Sequence, residues 1–424
     1  MRRMECLDGL RGVLAVYVLL GHMAPFAAAP RWLAGLFSHG GAAVDMFFIL
    51  SGMVIVGSLE RCRYRPRQFL TARAVRIFPV FLVMFPLALA VQPLSDGFGL
   101  MPWISPDSAA RDIWSDDWPR TWAAEIAAHL TMTHGLLPNG VLPDVWVSFL
   151  GSAWSLSTEW QFYVFALIAG RATRRVAKDQ GWLTVLLLIL AAGGIAWRCA
   201  TPETWHFSRA FLPNKAAYFA LGVASAAFAA DGARKRYGVV LLLVLMLCGA
   251  QGDPAKLLAP LAWTACLAAQ SPRERPAHRE RGGAAGGMTI GFCLRPLAWL
   301  LGGRVAGWLG ALSYSLYLAN EPVQKLLGVG LGRLVHGDAV LFTVLWIPGA
   351  IVLPLALAVW LHARIERPAL RWARDMTGHP HRPLRQPGPW FRSSACAEGR
   401  PAAIQAGNET TTRKSAGRLG SPAP

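Results

Sequence analysis

Charge is scarce in this chain. Only 16% of its 424 residues are charged, against about a quarter in an ordinary soluble domain, which argues against a large soluble enzyme. Acidic residues are the scarcer sign, 24 against 42 Lys and Arg, leaving a net charge of +18. That excess would suit nucleic acid, but the basic residues form no single patch. They recur in short runs between apolar segments, as cytoplasmic loops require, so no nucleic-acid partner is expected. The seven cysteines form no CxxC pair and have no His partner at metal-ligand spacing. A zinc site and a disulfide framework are both disfavoured. His129 and His134, five residues apart, do not face each other on a helix, so no metal is expected. There is no GxSxG elbow, no tandem repeat of 20–50 residues and no second soluble domain.

What is present is apolar: 54% hydrophobic residues and 18 Trp, the balance of an all-α, polytopic membrane protein. A span needs roughly 20 mainly apolar residues. Ten are expected, at 8–27, 41–59, 75–93, 149–170, 182–199, 210–230, 237–251, 255–270, 305–328 and 339–363. The stretch 123–137 is apolar enough to dip into a bilayer and too short to cross. Arg2 and Arg3 before an apolar run imitate a signal peptide, but Asp8 and Arg11 interrupt that run, so it reads as a retained first span. Every second loop is basic: Arg61 to Arg73, Arg171 to Lys178, Arg234 to Arg236, Arg273 to Arg281 and Arg364 to Arg374. The longest intervening loop, 94–148, is acidic. The positive-inside rule therefore puts both termini in the cytoplasm of a multi-pass protein of the cell (inner) membrane. The membrane domain covers 1–371. Within it 271–291 reads as a disordered cytoplasmic loop, and 372–424 as a disordered basic tail.

The polar residues that interrupt these spans are the candidates for chemistry, because ionisable groups inside a bilayer are costly. In Leu7-Asp8-Gly9-Leu10-Arg11-Gly12, continuing to Gly21-His22, eleven steps separate Arg11 from His22. At about 100° and ~1.5 Å per residue they share one face roughly 16 Å apart, with Asp8 one turn before Arg11. The competing reading is snorkelling at the two boundaries. Asp45, near the start of span two, lies at a depth similar to His22 and could orient its imidazole; it could equally cap span two. Ser51-Gly52, two turns deeper, reads as a packing pair; Ser51 could otherwise be a nucleophile, though no GxSxG elbow surrounds it, or a substrate contact. Arg73 and Arg76 share a face where span three begins, with forks suited to phosphate oxygens, although positive-inside anchoring also accounts for them. Glu159 lies near mid-membrane, either at a polar site beside Arg11 or His22 or as interhelical glue. Ser313, Tyr317, Asn320 and Glu321 give span nine one wet face, with Tyr314 beside it. Pro322 leaves the carbonyl at 318 without its usual donor, which often happens beside a cavity. Glu366-Arg367-Pro368 closes the cytoplasmic end.

Five blocks in register resemble the acyltransferase-3 family of polytopic membrane acyltransferases. They are LDGLRG to GH at 7–22, VDMFFILSG at 44–52, ARAVRIFP at 72–79, WSLSTEWQFY at 154–163 and LSYSLYLANEP at 312–322. Arg11 and His22 match its arginine–ten residues–histidine motif. The resemblance implies about ten helices and transfer of an acyl group, often acetyl, from cytosolic acyl-CoA as a donor substrate, with no permanently bound cofactor. Typical acceptors are hydroxyls of glycans, lipid-linked sugars or exported metabolites. It implies an essential His22 and a donor- or acyl-handling role for Arg11. Many members have His where this chain has Asn320, and some carry an extracytoplasmic hydrolase-like domain that is not apparent here. Acceptor selection then falls to the membrane domain, with loop 94–148 as a candidate.

The expected mechanism places acyl-CoA phosphates at Arg73 and Arg76. His22, oriented by Asp45 or Glu159, acts as base, and Arg11 stabilises charge on the thioester oxygen. A transient acyl-enzyme stays open. Asp8, Ser51, Tyr314, Tyr317, Asn320 and Glu321 are the expected substrate contacts, and a tunnel should join Arg11 to His22. Two rivals remain. One is a proton-coupled secondary transporter, which intramembrane Arg, His and Glu would also serve. The other is a multi-pass glycosyltransferase using a lipid-linked donor, for which Asp116-Asp117 would supply carboxylates.

Overall fold

The computed structural model describes residues 5–94, 98–114, 118–173, 181–270 and 301–376. Among these the regular elements are helical, apart from one antiparallel bridge between Pro138 and Phe207. Helices fall on all ten stretches that hydropathy marks: α1 Glu5–Met23, α2 Gly40–Arg61, α3 Pro66–Val91, α4 Trp154–Thr173, α5 Gly181–Ala200, α6 Leu212–Asp231, α7 Arg234–Gly249, α8 Leu258–Gln270, α9 Arg304–Val335 and α10 Ala339–Leu361. Five segments are long and apolar enough to cross a membrane: Cys6–Phe26, Trp32–Arg61, Pro66–Leu94, Gly181–Ala200 and Ala339–Asp375. The others are short, as α7 and α8 are, or have their hydropathy diluted by groups turned inward. In α9, Ser313, Ser315, Asn320, Glu321, Gln324 and Lys325 are all buried. The stretch 123–137 forms the short helix Trp122–Leu130 and a 3-10 turn at His134–Leu136. The expected disordered loop 271–291 and residues 377–424 of the expected tail lie outside the described residues. Residues 372–376 do not belong to a tail: they complete the helix Arg367–Met376, which follows α10 through a π turn at His362–Glu366 and packs on α3.

Two close crossings hold the site-bearing helices in register. Where α1 meets α9, a Cβ on Gly12 would sit 2.6 Å from Gly310 N, and one on Gly310 only 1.9 Å from Asp8 O. Where α2 meets α6, a Cβ on Gly52 would lie 2.4 Å from Phe219 O and one on Gly222 2.0 Å from Ile49 O. Small residues allow helix backbones to approach this closely in a bilayer, where dispersion rather than hydrophobic exclusion drives association. Gly222→Ala should push α2 from α6 and cost about 3 kcal/mol, the upper part of the overpacking range. Thermal unfolding of the variant in detergent measures it; an unchanged midpoint would mean that the crossing relaxes freely. One turn beyond the site, Gln324 Nε2 donates to Leu19 O at 3.3 Å and Ala350 O at 3.1 Å, tying α1, α9 and α10 together.

The long loop after α3 folds over one end of the bundle. Phe98, Met101, Ile104, Ala110 and Trp114 form an apolar cluster with Met23, Phe26, Val335, Phe342 and Trp346; the Phe26 and Trp114 rings are 3.8 Å apart. Further along the same loop, the His129 and His134 rings stack at 4.2 Å and 8°, a contact that the five-residue separation does not suggest. His129 Nδ1 donates to Glu125 O at 2.9 Å and His134 Nε2 to Ala153 O at 3.2 Å. Burial lowers both imidazoles, His129 from 6.5 to about 4 and His134 well below 6.5. Depressed folded-state values mean that the unfolded chain binds protons first as pH falls. The contribution is therefore whole above pH 6.5 and is lost between there and pH 4, about 3 kcal/mol for His129. The unfolding midpoint in detergent should fall from pH 7.5 to 4.5, and His129→Gln should flatten that dependence.

Candidate active site

The polar groups of α1, α2, α3, α4 and α9 line two cavities. The first, about 270 Å³, is walled by Asp8 and Arg11 from α1, Ser51 from α2, Arg73 and Arg76 from α3, Glu159 and Tyr163 from α4, and Ser313 and Tyr314 from α9. Its charges are held by neighbours. Glu159 Oε1 accepts from Ser51 Oγ at 2.5 Å and from the Tyr163 hydroxyl. Arg73 donates to Ser58 Oγ, with its guanidinium 5.3 Å from the Tyr163 ring centre and 5.8 Å from that of Phe69. The Tyr314 hydroxyl donates to Ile77 O. Glu366 accepts from Ser315 Oγ at 2.8 Å and from His362 Nδ1 at 3.0 Å, joining the π turn to α9. Three guanidiniums facing one small chamber suit an anionic, oxygen-rich ligand.

The second cavity is larger, about 950 Å³, and lies at the opposite end of α1. It is lined by His22 together with Trp103, Trp146, Trp154, Arg209 and Glu321; loop residues Ile104, Asp107 and Asp112 supply further wall. The hydrogen bonds of His22 settle its tautomer. Asn320, fully buried, turns Nδ2 to Tyr317 O at 3.1 Å, an atom that can only accept. Its Oδ1 is thereby left facing His22 Nδ1 at 3.0 Å. Nδ1 carries the proton, and Nε2 is the basic nitrogen. An imidazole held this way in a cavity wall is equipped to take a proton from a ligand hydroxyl.

Three expectations are corrected. Asp45 does not orient His22: its Oδ1 accepts from Lys215 Nζ of α6 at 2.6 Å, and it is buried at 3% exposure. A carboxylate that deep requires a cation, and α6 supplies one. Glu159 does not orient His22 either, since its partners are Ser51 and Tyr163. The orienting group is Asn320. Glu321 accepts from Gly151 N and Ser152 N at 3.0 Å each. It thus serves the donors at the start of α4, where helix amides lack partners and the dipole favours a negative charge, while still bordering the second cavity. Nor do Arg11 and His22 line one common cavity. They line different cavities, whose shared wall residues are Val44 and Tyr317. Arg11, Arg73, Arg76, Asp8, Ser51, Glu159 and Tyr314 do line one cavity together.

Sequence reasoning missed Lys215 and Arg209. Lys215 had a signal, a lone cation in an apolar span with Asp45 as an intramembrane counterion. Arg209 had none, since its placement 4.7 Å from the Trp146 ring centre and 5.9 Å from that of Trp154 joins two loops distant in sequence. The proposed carboxylates Asp116 and Asp117 lie outside the described residues. Among the described residues, no cluster of three or more His, Cys, Asp or Glu could hold a metal ion.

Fold and cavities together define a helical membrane protein with a guanidinium-lined chamber at one end and an imidazole-bearing cavity at the other. The acyltransferase-domain family profile, Acyl_transf_3, matches residues 4–363, and the chain belongs to that family. It is 29% identical over 196 residues to an O-acetyl transferase of Shigella phage Sf6, covering 45% of this chain and 52% of the relative. It is 26% identical over 185 residues to the acyltransferase MdmB of Streptomyces mycarofaciens, 42% of each. A protein of Rhizobium radiobacter described as protein 2 in the picA locus is 33% identical over 92 residues, 21% of this chain and 45% of the relative. The chain thus spans about half the length of the curated relatives it matches. No solved structure matches it.

Proposed function

We propose that this chain is a membrane O-acyltransferase that moves an acetyl group from acyl-CoA to a hydroxyl of a carbohydrate or similar exported acceptor. The observation that carries the reading is the Asn320-fixed tautomer of His22, with its basic nitrogen available in the second cavity. The topology that goes with it has ten spans and both termini in the cytoplasm of the inner membrane, so that the Arg11 end of α1 meets the cytosol. Acyl-CoA then docks with its phosphates at Arg73 and Arg76, and Arg11 stabilises charge on the thioester oxygen. The acceptor takes the second cavity. At about 950 Å³ it lies within the ~300–1,000 Å³ usual for ligand pockets, whereas the first, at about 270 Å³, takes only the part of the donor that meets its arginines. Trp103, Trp146 and Trp154 offer faces for a sugar ring, and Arg209 and Asp107 offer hydroxyl partners. His22 takes the proton of the acceptor hydroxyl, whose oxygen bonds to the acyl carbon as the carbon–sulfur bond breaks. The proton then passes to the CoA thiolate. The phage relative named an O-acetyl transferase supports acetyl and oxygen as the group and acceptor atom.

The test uses purified full-length protein in lipid vesicles, with radiolabelled acetyl-CoA and a glycan and glycolipid extract as the acceptor pool. Label should move to an extract component whose mass rises by one acetyl group, with stoichiometric release of CoA thiol. Absence of thiol release and label transfer, together with uptake of solute in the absence of CoA, would select transport and overturn the proposal.

A further inference from the structure

The arginines and His22 line two different cavities, and the reaction proposed above requires a bond between an atom entering from each. Their shared wall residues are Val44 of α2 and Tyr317 of α9, both buried, at 6% and 8% exposure. We infer that Val44 and Tyr317 form a filter between the donor and acceptor cavities that sets the length of the acyl group transferred. The inference rests on the acyltransferase reading.

The filter is built of fixed parts. The Tyr317 hydroxyl accepts from Ser155 Oγ of α4 at 3.0 Å, and Ser155 lines the donor cavity. The Tyr317 ring centre lies 6.3 Å from that of Phe47 of α2, another donor-cavity residue. The Tyr317 carbonyl accepts from Asn320, the residue that orients His22. On the facing helix, Val44 precedes Asp45, which is locked to Lys215 at 2.6 Å, and the glycine crossing two turns further along holds α2 against α6. A donor with its phosphates at Arg73 and Arg76 must bring its carbonyl carbon to this junction to meet an oxygen activated at His22. Every carbon beyond the carbonyl must then lodge against Val44 and the Tyr317 ring. An acetyl methyl needs little space there, whereas an eight-carbon chain needs the partition to be displaced. Apolar pockets discriminate by about 10–200-fold per methylene, so a rigid wall at this point acts on chain length directly.

Competing the wild type with acetyl-, butyryl- and octanoyl-CoA, in the same vesicles and acceptor pool, tests the inference. CoA thiol release and acyl mass on the acceptor are both read. The wild type should favour acetyl over octanoyl at least 100-fold in kcat/KM. Tyr317→Ala should cut that ratio at least tenfold, with octanoyl transfer rising in absolute rate. Val44→Ala, a smaller change that spares the Ser155 contact, should raise butyryl transfer and shift the ratio the same way. A residue needed only for folding would lower all three donors in proportion. An acetyl-to-octanoyl ratio unmoved in Val44→Ala and in any folded Tyr317→Ala overturns the filter while leaving the acyltransferase reading in place. A wild type that transfers none of the three donors overturns both.

Discussion

Replacing His22 by Ala is expected to lower acyl transfer by about 10³-fold, within the range that a positioned general base contributes. The expectation follows from atoms rather than from the residue type alone. Asn320 Oδ1 can only accept, so Nδ1 keeps its proton, and Nε2 is the basic nitrogen of a residue that lines the larger cavity. Arg11, Arg73 and Arg76 line a different cavity from His22, so CoA affinity should change little in His22→Ala, and the loss should fall on kcat rather than on donor binding. Titrating CoA into the variant and measuring label transfer distinguishes these outcomes. Asn320→Ala should produce a smaller fall, since the imidazole survives with its tautomer no longer fixed. Equal losses in donor affinity and turnover in His22→Ala would argue for a collapsed site and against a base.

The second large effect concerns stability. Asp45→Ala or Lys215→Met alone should each cost about 3–5 kcal/mol, the usual penalty for leaving one member of a buried ion pair uncompensated. The pair is close, 2.6 Å between Lys215 Nζ and Asp45 Oδ1, with the ammonium also 5.4 Å from the Tyr218 ring centre and 5.5 Å from that of Trp154. The double substitution should recover most of the loss, because it removes both charges. Thermal unfolding of the three variants in one detergent gives the coupling directly. A double variant as unstable as the sum of the singles would show that Asp45 and Lys215 act independently. Asp45 is adjacent to Val44, so the single variants should also broaden acyl selectivity where they still fold.

Among the described residues a helix stands on each of the ten stretches that hydropathy marks, because a continuous apolar run is a local property that needs no partner to be read. Polar interruptions of those segments led to residues that line one cavity: Asp8, Arg11, Ser51, Arg73, Arg76, Glu159 and Tyr314 are walls of one space. Depth reasoning failed at Asp45. Two groups at a similar level in a bilayer share a plane and need not share an azimuth, and periodicity within each helix leaves open how one is rotated against another. The face of α2 that carries Asp45 turns to α6, where Lys215 waits. The same ignorance of rotation hid the stacked imidazoles of His129 and His134, which a chain reversal after Leu130 brings together.

From its residues alone the chain determined an all-helical membrane architecture, the alternation of basic loops and the family to which its motifs point. These are properties of local composition and of spacing along single helices, which need no partner to be read. Only the tertiary structure decided that Asn320 and not a carboxylate sets the imidazole, that Asp45 belongs to Lys215, and that Arg11 and His22 occupy two chambers meeting at Val44 and Tyr317. Each of those outcomes depends on which helix faces meet, and the glycine crossings of α1 with α9 and of α2 with α6 select those faces by allowing backbones to come closer than any side chain permits.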